Sequence, residues 1–453
     1  MSSVIILSDD LTGAGDSGVQ FAKLGIPTVV AIDEGDIPVS APPRSAIVIN
    51  AESRSLSPDE ARAKWSSILF SLNMSDYEIV LKKIDSTLRG NIGKEIEACM
   101  DTGLFEAAIV VPSYPQKGRR TVGGYHWMHE NVLEDSEVAT DPKFPIRESK
   151  VSRIIRRQWD HSVCEIELAE LRNGSWRDRY EERRRHGENV FVFDSATEKD
   201  IERIVDGLYG RRVLWVGTAG LAKVLAMRYA GARRPQTKTK AVVFRGDAPV
   251  LAVAGSVSQV TREQVNELKH SGFAFVEVDP LIFLSECGKE ERSAAETERL
   301  VAMSTGRLRE GRDVVMSTDV STEKREQVRA KLMADSSKST SEDRIASGLG
   351  KMAARIVRET VLSGVILTGG DIAYNTCRHL GVRKLIIIDE VEEGLPLCLT
   401  DGEIVLPVVT KAGAFGDRRS MLNAAHAIRR FIRQGAGSEA ESGNAHAGEG
   451  GSQ

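Results

Sequence analysis

The apolar and polar positions of this chain alternate between a period typical of buried strands and one typical of amphipathic helices. In the first half, short β-branched runs alternate with stretches whose apolar residues recur at helical spacing. Parallel strands need long crossover connections, so this alternation indicates a mostly parallel sheet. The predicted strands are Val4–Leu7, Thr28–Ile32, Ala46–Ile49, Ile79–Leu81, Ala108–Val111 and Val213–Val216, and the predicted helices are Asp16–Leu24, Pro58–Leu72 and Ile92–Asp101.

The same alternation restarts in the second half of the chain, after a polar, basic stretch that has no apolar period. We predict an N-terminal domain over 1–230, a linker over 231–240, a C-terminal domain over 241–434 and a disordered tail over 435–453. The predicted fold is two α/β domains with mostly parallel sheets and an inter-domain cleft. The second domain's predicted strands are Val250–Ala254, Ala274–Val278, Asp313–Met316, Val365–Leu367, Leu385–Ile388 and Ile404–Val408, and its predicted helices are Thr261–His270, Arg344–Leu362 and Ile372–His379.

Composition indicates which partners are not expected. The 453 residues include 61 basic and 65 acidic side chains, a net charge of −4, so we expect no nucleic-acid partner and no anionic-membrane partner. Apolar runs such as Ala107–Pro112 are far shorter than the roughly 20 residues that span a bilayer. The N-terminus lacks a signal-peptide pattern, so we expect a cytoplasmic protein whose five separated cysteines are reduced.

The loop after the first predicted strand carries Asp9 and Asp10, followed by three glycines within Gly13–Gly18. This glycine spacing matches the dinucleotide-binding fingerprint, but the two carboxylates would repel a pyrophosphate. A phosphatase-type Asp-x-Asp motif is incomplete, because position 11 is leucine. In an extended chain Asp9 and Asp10 point to different sides, so at most one is expected to face a ligand, while the other caps the next helix. A purely structural turn and cap remains an alternative.

A second polar cluster, Lys82–Gly93, follows the fourth predicted strand and contains lysines, hydroxyls, an aspartate and an arginine. These groups can bind a carboxylate or phosphate and orient hydroxyl groups. The next strand leads into a glycine- and proline-rich loop that ends at His126 and adds Lys117, Arg119 and Arg120. We expect His126 to contact the substrate, since no zinc motif accompanies it.

Three loops of the second domain pair a strand with small residues and a helix start, an arrangement that binds phosphate through backbone amides. They are Gly255–Ser258, Gly369–Asp371 and Lys411–Gly416. Any one of them could be an ordinary tight turn, but three in one domain favour a nucleotide. No G-x-x-x-x-G-K-[ST] motif occurs, so a P-loop kinase is excluded.

Together these motifs resemble the four-carbon acid sugar kinase family. The resemblance extends from Asp9 to Asp417. The chain has Ala412 and Ala414 where the family's Lys-Ser-Gly-Asn-Phe-Gly loop has serine and asparagine, and Ile372 where threonine is usual. The motifs that carry the resemblance are DDLTGAGDSG at 9–18, KIDSTLRGNIG at 83–93, Gly118-Arg119 with Gly124-Tyr125-His126, GSVS at 255–258, GGDIA at 369–373 and KAGAFG at 411–416.

The resemblance implies ATP-dependent phosphorylation of a hydroxyl on a sugar acid such as threonate, erythronate or 3-oxo-tetronate, with Mg²⁺ as a cofactor and metal ligands left open. Arg54, Lys83 and Arg89 would hold the substrate carboxylate, and Asp10 or Asp85 would accept the hydroxyl proton, with Asp10 preferred. The predicted catalytic residues are Asp10, Asp85, Lys83 and Arg89; the predicted substrate-binding residues are Asp9, Arg54, Ser86, Gly124, Tyr125 and His126; the predicted ATP-binding residues are Gly255, Ser256, Ser258, Gly369, Gly370, Asp371, Lys411 and Gly413.

Two other functions stay open on the sequence alone. An NAD(P)-dependent dehydrogenase would use the Gly13–Gly18 loop, and a non-catalytic sugar-acid sensor would bind its ligand without turnover. The expected partners are a small sugar acid and ATP, and a homodimer is compatible with the sequence.

Overall fold

The structure, a computed structural model, describes residues 3–38, 42–141, 144–231, 248–255, 258–284, 290–319, 321–334 and 340–445. The chain forms two compact units, Met1–Thr237 and Lys238–Gln453, which are described separately. Most of the predicted linker 231–240 lies outside the described residues. The domain limits and the inter-domain cleft stay predictions.

The sheet of unit 1 is built from the apolar runs of the sequence. Its central strands are buried along their whole length, which is why they are apolar rather than alternating. All six predicted strands are confirmed, and two shorter strands complete this sheet. A separate three-stranded antiparallel sheet follows β5. The strands are β1 Ser3–Ser8, β2 Thr28–Ala31, β3 Ala46–Asn50, β4 Tyr77–Lys83, β5 Ala107–Val111, β6 Arg119–Val122, β7 Tyr125–Met128, β8 Asn131–Val132, β9 Cys164–Ile166, β10 Val190–Phe193 and β11 Val213–Gly217.

The helices of unit 1 cover its sheet and begin at recognisable caps. Ser57 caps one of them with a full capping box, in which Ser57 Oγ accepts the amide of Glu60 and the Glu60 carboxylate accepts the amide of Ser57. The first helix begins earlier than predicted, at Leu11 rather than Asp16, because Asp10 caps it. The helices are α1 Leu11–Ala22, α2 Pro58–Phe70, α3 Ile92–Met100, α4 Val151–Arg156, α5 Leu168–Asn173, α6 Trp176–Arg185, α7 Glu198–Leu208 and α8 Ala219–Ala230.

The strand order of unit 1 is β2-β3-β1-β4-β11-β5-β10-β9, and each neighbouring pair in it is parallel. From β1 the chain first proceeds to one side, through β2 and β3, and then returns to β4 on the other side. In an open parallel sheet, ligands bind outside the carboxyl ends of the strands at such a reversal. The topology therefore points to the loops after β1 and β4.

Unit 2 repeats the α/β construction with its own core. Apolar residues of its strands pack against the last helix, which contributes Met421, Ala424 and Ile428. That helix extends into the range 435–453, for which composition predicts a disordered tail. The strands are β12 Val250–Ala254, β13 Ala274–Val278, β14 Val314–Thr318, β15 Gly364–Thr368, β16 Lys384–Glu392, β17 Leu395–Thr400 and β18 Pro407–Lys411, and the helices are α9 Gln259–His270, α10 Glu290–Arg309, α11 Thr322–Ala334, α12 Thr340–Glu359, α13 Gly370–Leu380 and α14 Ser420–Ala445.

The strand order of unit 2 is β13-β14-β12-β15-β18-β17-β16, parallel as far as β18 and antiparallel beyond it. After β12 the chain proceeds to one side of the sheet, through β13 and β14, and then returns to β15 on the other side. This unit therefore also has a switch point. The last predicted strand was placed too early: Thr400 Oγ1 bonds the carbonyl of Ile404 and the amide of Leu406, so this stretch is a turn. The strand begins at Pro407, a position where the missing N–H is tolerated.

The mostly parallel α/β prediction is thus confirmed in both units. Among the described residues, no helix is long and apolar enough to cross a membrane. Four cysteines, Cys99, Cys164, Cys377 and Cys398, are free and buried, as expected, and Cys287 lies outside the described residues.

Candidate functional site

The polar loops of unit 1 meet at the carboxyl edge of its sheet because three neighbouring strands end in register. Ser8, the last residue of β1, pairs with Asn50 of β3 on one side and Lys83 of β4 on the other. The loops that follow carry Asp9 with Asp10, Arg54, and Asp85 with its neighbours. The structure therefore brings together residues that are far apart in sequence at the switch point of the sheet.

Arg54 joins the first two loops by binding both aspartates. Its guanidinium donates two hydrogen bonds to Asp9, at 2.7 and 3.0 Å, and two to Asp10, at 2.7 and 3.0 Å. Asp9 and Asp10 thus face one partner, and the expectation that they point to different sides is wrong. The reason is local: Asp10 is the N-cap of α1, and its carboxylate turns back toward the helix.

Burial and these contacts set the charges of the cluster. Burial raises the pKa of Asp9, but the positive charges of Arg54, Lys82 and Lys83 outweigh it and hold that pKa below its usual value. Burial likewise opposes the charge on Arg54, yet its carboxylate partners raise the pKa of the guanidinium well above normal. Asp9 and Arg54 therefore stay ionised. Since Arg54 has four of its five N–H groups occupied by protein carboxylates, little of it is left for a substrate.

Asp10 also closes the start of α1. Its Oδ1 accepts the amide of Gly13 at 3.0 Å, and Glu52 Oε1 accepts the amide of Leu11 at 3.1 Å. A Cβ on Gly13 would lie 2.5 Å from Asp10 Oδ1 and 2.9 Å from Lys83 Nζ, so only glycine fits there. Two first-turn amides that a dinucleotide would need, those of Leu11 and Gly13, are thus already bonded to protein carboxylates. This arrangement disfavours the dehydrogenase interpretation of the Gly13–Gly18 loop.

The loop after β4 is organised around Asp85. Its carboxylate accepts Arg89 Nε at 2.8 Å and Nη2 at 3.0 Å, together with the hydroxyl and amide of Thr87. Burial raises the pKa of Asp85, but Arg89 and Arg54 outweigh it and place that pKa well below the ordinary value. Ser86 is half-buried between these residues. Asp85 is therefore a firmly ionised anchor for Arg89.

Adjacent lysines of β4 point to opposite faces of the sheet and have different surroundings. Lys82 is fully buried and pairs with Glu95 at 2.8 Å, while also donating to the carbonyls of Leu7 and Lys83. Lys83 Nζ donates only to the carbonyl of Ile84, at 3.0 Å, and forms no ion pair within the described chain. Lys83 is thus a buried ammonium beside Asp10 with donor positions left for a ligand.

His126 does not occupy the position expected of a substrate ligand. The side chain is fully buried, with Nδ1 3.0 Å from Thr121 Oγ1 and Nε2 3.1 Å from the carbonyl oxygen of Ser86. Burial lowers the pKa of His126 to about 4, so the ring is neutral and both nitrogens are used. His126 fixes the loop that carries Ser86 instead of facing a ligand directly.

The turn between β6 and β7, which precedes His126, is stabilised by Asp194. Its carboxylate accepts the amides of Gly123 at 2.7 Å and Gly124 at 2.9 Å. Gly124 is buried and Tyr125 is exposed at the tip, so of these two predicted substrate residues only Tyr125 presents its side chain outward. Burial raises the pKa of Asp194 in spite of these amides.

In unit 2 the three glycine loops also meet at one edge. Ala254, Thr368 and Lys411 are in register on the parallel strands β12, β15 and β18. Gly255, Gly369 and Gly413 lie in the loops that follow these strands, and Gly370 begins α13 with exposed Asp371 after it. Ser256 lies outside the described residues.

Side chains of α9 hold the last of these loops. Ser258, the N-cap of α9, and Thr261 both donate to the carbonyl of Gly413 at 2.8 Å. Gln264 donates to the carbonyls of Phe415 and Asp417 at 3.1 and 2.7 Å. Ser258 therefore shapes the loop, a role that differs from direct contact with ATP.

Lys411 has the same internal role. Its buried ammonium donates to the carbonyls of Ala412, Gly413 and Phe415 at 2.9, 2.9 and 3.0 Å. Burial lowers the pKa of Lys411 to about 7. All three N–H groups serve the loop, so Lys411 folds the glycine loop, and its backbone amides are the groups left for an anion.

Sequence reasoning missed several residues that build these sites. Glu52, two residues after the end of β3, accepts hydrogen bonds from the first amide of α1 and from the side chain of Asn50. Glu95 pairs with Lys82 behind the sheet, and Asp194 holds the glycine turn. Asp194 follows β10 directly, a position that could have drawn attention. Nothing in the sequence marked Glu95, one acidic residue of an amphipathic helix.

Fold and candidate sites together define an α/β protein of two compact units, with a charged side-chain cluster at the switch point of the first and a glycine-lined strand edge in the second. Family models agree with this division: residues 4–225 match a sugar-binding N-terminal domain and residues 251–421 match a nucleotide-binding C-terminal domain. The chain belongs to the four-carbon acid sugar kinase family.

Curated relatives extend the match over nearly the whole chain. D-threonate kinase of Salmonella typhimurium is 32% identical, covering 94% of this chain and 98% of the relative. D-erythronate kinase of Heliobacterium modesticaldum is 31% identical over 92% and 95%. A 3-oxo-tetronate kinase of Pseudomonas savastanoi is 26% identical over 91% and 94%.

Solved structures share the fold. A crystal structure from Salmonella typhimurium LT2 superposes with a TM-score of 0.75 at 23% identity, covering 94% of this chain and 99% of that one. Haemophilus influenzae protein HI1011 gives a TM-score of 0.66 at 20% identity over 93% and 98%.

Proposed function

We propose that this protein is an ATP-dependent kinase that phosphorylates a hydroxyl group of a four-carbon sugar acid such as threonate, erythronate or 3-oxo-tetronate. The observation that carries the proposal is the pairing, in one chain, of a charged switch-point site with a glycine-lined switch-point edge. The curated kinases that match nearly the whole chain support the same activity. Phosphoryl transfer depends on positioning and charge neutralisation, which such a pair of sites supplies.

In unit 1, Asp10 is the proposed general base that accepts the proton of the attacking hydroxyl. Asp85 is the alternative, but its strongly lowered pKa makes it a poor proton acceptor. Asp10 is 8% exposed and lies beside Gly13 and Lys83, whose ammonium has donors to spare. Lys83 would stabilise negative charge on the transferring phosphoryl group. Asp9, Arg54, Asp85 and Arg89 would position these two groups.

In unit 2, the loops after β12, β15 and β18 are the proposed ATP site. Gly255 permits the close packing of these loops, because a Cβ there would lie 2.3 Å from Ile372 Cδ1. Gly369 has a φ of 106° and donates its amide to the carbonyl of Lys411 at 2.8 Å, which ties two of the loops together. Exposed amides and the start of α13 would bind phosphates.

Magnesium would enter with ATP. Within the described part of the chain, no group of three or more His, Cys, Asp or Glu side chains is placed to hold a metal ion. We therefore assign no protein ligand to Mg²⁺, which commonly keeps several waters and binds substrate phosphates. When bound, it would neutralise charge on the transferring phosphoryl group.

An ADP-release assay over a panel of acids tests the function. We expect ATP consumption that depends on D-threonate, D-erythronate or 3-oxo-tetronate, and its loss in Asp10→Asn. A sensor would bind an acid without consuming ATP, and a dehydrogenase would instead reduce or oxidise NAD(P). Absence of acid-dependent ADP release over the whole panel would overturn the kinase proposal.

The cytoplasmic location and the homodimer stay predictions. Sedimentation of the full chain at several concentrations tests the homodimer, and fractionation of the producing cell tests the location.

A further inference from the structure

Arg119 has an unoccupied hydrogen-bonding edge at the rim of the unit 1 site. Its Nε is buried and has no hydrogen-bond partner. Nη1 donates to the carbonyl of Lys117 and lies 3.5 Å from His129 Nε2. No ion pair of Arg119 and no hydrogen bond of its Nη2 occur within the described chain.

This edge is the one that the protein uses elsewhere to hold carboxylates. Arg54 binds Asp9 through Nε and Nη2, at 2.7 and 3.0 Å. Arg89 binds Asp85 through the same two nitrogens, at 2.8 and 3.0 Å. A guanidinium presents these two N–H groups in parallel, which matches the two oxygens of a carboxylate.

The position of Arg119 follows from the register of its hairpin. Arg119 and Thr121 lie on one face of β6, since strand residues two apart share a face. Thr121 bonds His126, and His126 in turn reaches the carbonyl of Ser86 in the loop after β4. Burial lowers the pKa of Arg119, while the nearby carboxylates of Asp85 and Glu137 act to raise it and the charge of Arg89 acts to lower it. Arg119 thus lies on the Asp85 side of the site.

The charge balance shows why this edge matters. Arg54 is occupied by Asp9 and Asp10, and Arg89 by Asp85 and Asp141, which leaves the paired part of the site with more carboxylates than guanidinium groups. Such a cluster repels an anionic substrate unless unpaired cations face it. Lys83 and Arg119 are the two cations described above with unused donors, and Lys83 lies beside Asp10 at the proposed reacting end.

We propose that the Nε–Nη2 edge of Arg119 binds the carboxylate of the sugar acid and so makes this protein selective for acids over neutral sugars. The proposal rests on the proposed kinase function and replaces the earlier expectation that Arg54, Lys83 and Arg89 hold that carboxylate. Arg119 is then a substrate-binding residue at one end of the acid, while Asp10 and Lys83 act at the other.

Two substrates that differ only in charge test this assignment. Kinetics are measured with D-threonate and D-threonamide, for wild type, Arg119→Gln and Arg119→Lys. We expect Arg119→Gln to lower kcat/KM for D-threonate about 100-fold, as for loss of a charge-assisted pair, and to change that for D-threonamide less than about 3-fold. Arg119→Lys keeps the positive charge but lacks the two parallel N–H groups, so we expect an intermediate loss of kcat/KM for D-threonate.

Arg120→Gln is the matched control, because Arg120 is the next residue of β6, faces the other way and is 42% exposed. It should leave both substrates unchanged. Equal losses on acid and amide in Arg119→Gln, or no loss on the acid, would overturn the assignment. Denaturation midpoints of the two Gln variants show whether either has lost its fold.

Calorimetric binding without ATP separates this proposal from the kinase proposal. If wild type releases no ADP but binds D-threonate more tightly than D-threonamide, and Arg119→Gln abolishes that difference, the Arg119 assignment stands and the kinase proposal fails. If wild type binds neither compound and releases no ADP with either, both proposals fail.

Discussion

The two candidate sites of this protein both lie at a switch point of a parallel sheet, but they are built in opposite ways. The unit 1 site contains four aspartates paired with two arginines. In the unit 2 loops, the buried cation Lys411 is used entirely by the carbonyls of its own loop. Side-chain charge positions the groups in the first site, and backbone shape positions them in the second.

This difference determines how each site responds to substitution. Removing one partner of a buried ion pair leaves the other uncompensated, so the unit 1 site should be sensitive to single changes. A site made of backbone amides tolerates changes of side chain, which is consistent with Ala412 and Ala414 standing where relatives of the family carry serine and asparagine. Substitutions in unit 1 should therefore affect turnover and stability, and those in unit 2 the affinity for ATP.

The largest expected effect comes from the ion pair behind the unit 1 site. Lys82 and Glu95 are 0% and 1% exposed in their side chains, and Glu95 also accepts Ser53 Oγ at 2.5 Å. Lys82→Met should lower the free energy of unfolding of unit 1 by about 3–5 kcal/mol, because Glu95 is left buried and charged. Urea denaturation followed by circular dichroism measures it.

The double variant Lys82→Met with Glu95→Leu separates charge from packing. It removes both charges, so it should recover much of the stability lost in the single variant. A double variant as unstable as the sum of the two single ones would show that packing, and not the unpaired charge, determines the loss.

The next largest effect is on turnover in Asp10→Asn. Asparagine is as good an N-cap as aspartate, so α1 keeps its start while the proton acceptor is lost. We expect kcat to fall roughly 10²- to 10⁴-fold with KM for ATP unchanged. Steady-state kinetics with a saturating sugar acid measure both constants.

Asp59→Asn, an exposed first-turn residue of α2, is the control and should keep full turnover. Asp85→Asn is the competing variant. If Asp85→Asn removes turnover while Asp10→Asn does not, Asp85 is the general base and the assignment of that role to Asp10 is wrong.

The sequence predicted the strands and the loops that meet, because a parallel sheet brings the carboxyl ends of its strands to one edge. It could not predict which charges pair with each other. Arg54 was expected to bind substrate, yet its guanidinium is taken by Asp9 and Asp10. That pairing depends on the helix cap at Asp10. As the N-cap of α1, Asp10 directs its carboxylate toward the amide of Gly13.

The same dependence on long-range contacts explains why the roles predicted for His126 and Lys411 differ from the contacts that the structure shows. His126 follows a glycine turn whose amides donate to Asp194, and its buried ring contacts Thr121 and the carbonyl of Ser86. Lys411 sits beside glycines in a motif typical of phosphate contact, but the loop curls around its ammonium. Local pattern identifies the type of side chain, while long-range contacts decide what it binds.

A third prediction uses pH to test the buried His126. The unfolded histidine binds a proton near pH 6.5, and the folded one only near pH 4. The unfolded state therefore holds more protons between these values, and stability falls as the pH drops from 6.5 to 4. The loss should reach about 3 kcal/mol in unit 1, measured by urea denaturation over this pH range.

His126→Gln cannot titrate, so its stability should depend less on pH in that window than the wild type's. His186→Gln, at the exposed end of α6, is the control and should keep the wild-type slope. If wild type and His126→Gln show equal slopes, the ring is not held neutral as described.

The smallest expected effect is at the unit 2 edge, in Ser258→Ala. Ser258 Oγ caps α9 by accepting the amide of Thr261 at 3.1 Å and donates to the carbonyl of Gly413 at 2.8 Å. Losing an N-cap costs about 1 kcal/mol of stability. We expect KM for ATP to rise about 5-fold, because the loop loses one hydrogen bond, with kcat and the KM for the acid unchanged.

Thr261 still donates to the carbonyl of Gly413, so the loop should keep its overall shape in this variant. A fall in kcat instead of a rise in KM would show that a side chain, and not the backbone, makes the critical contact at this edge.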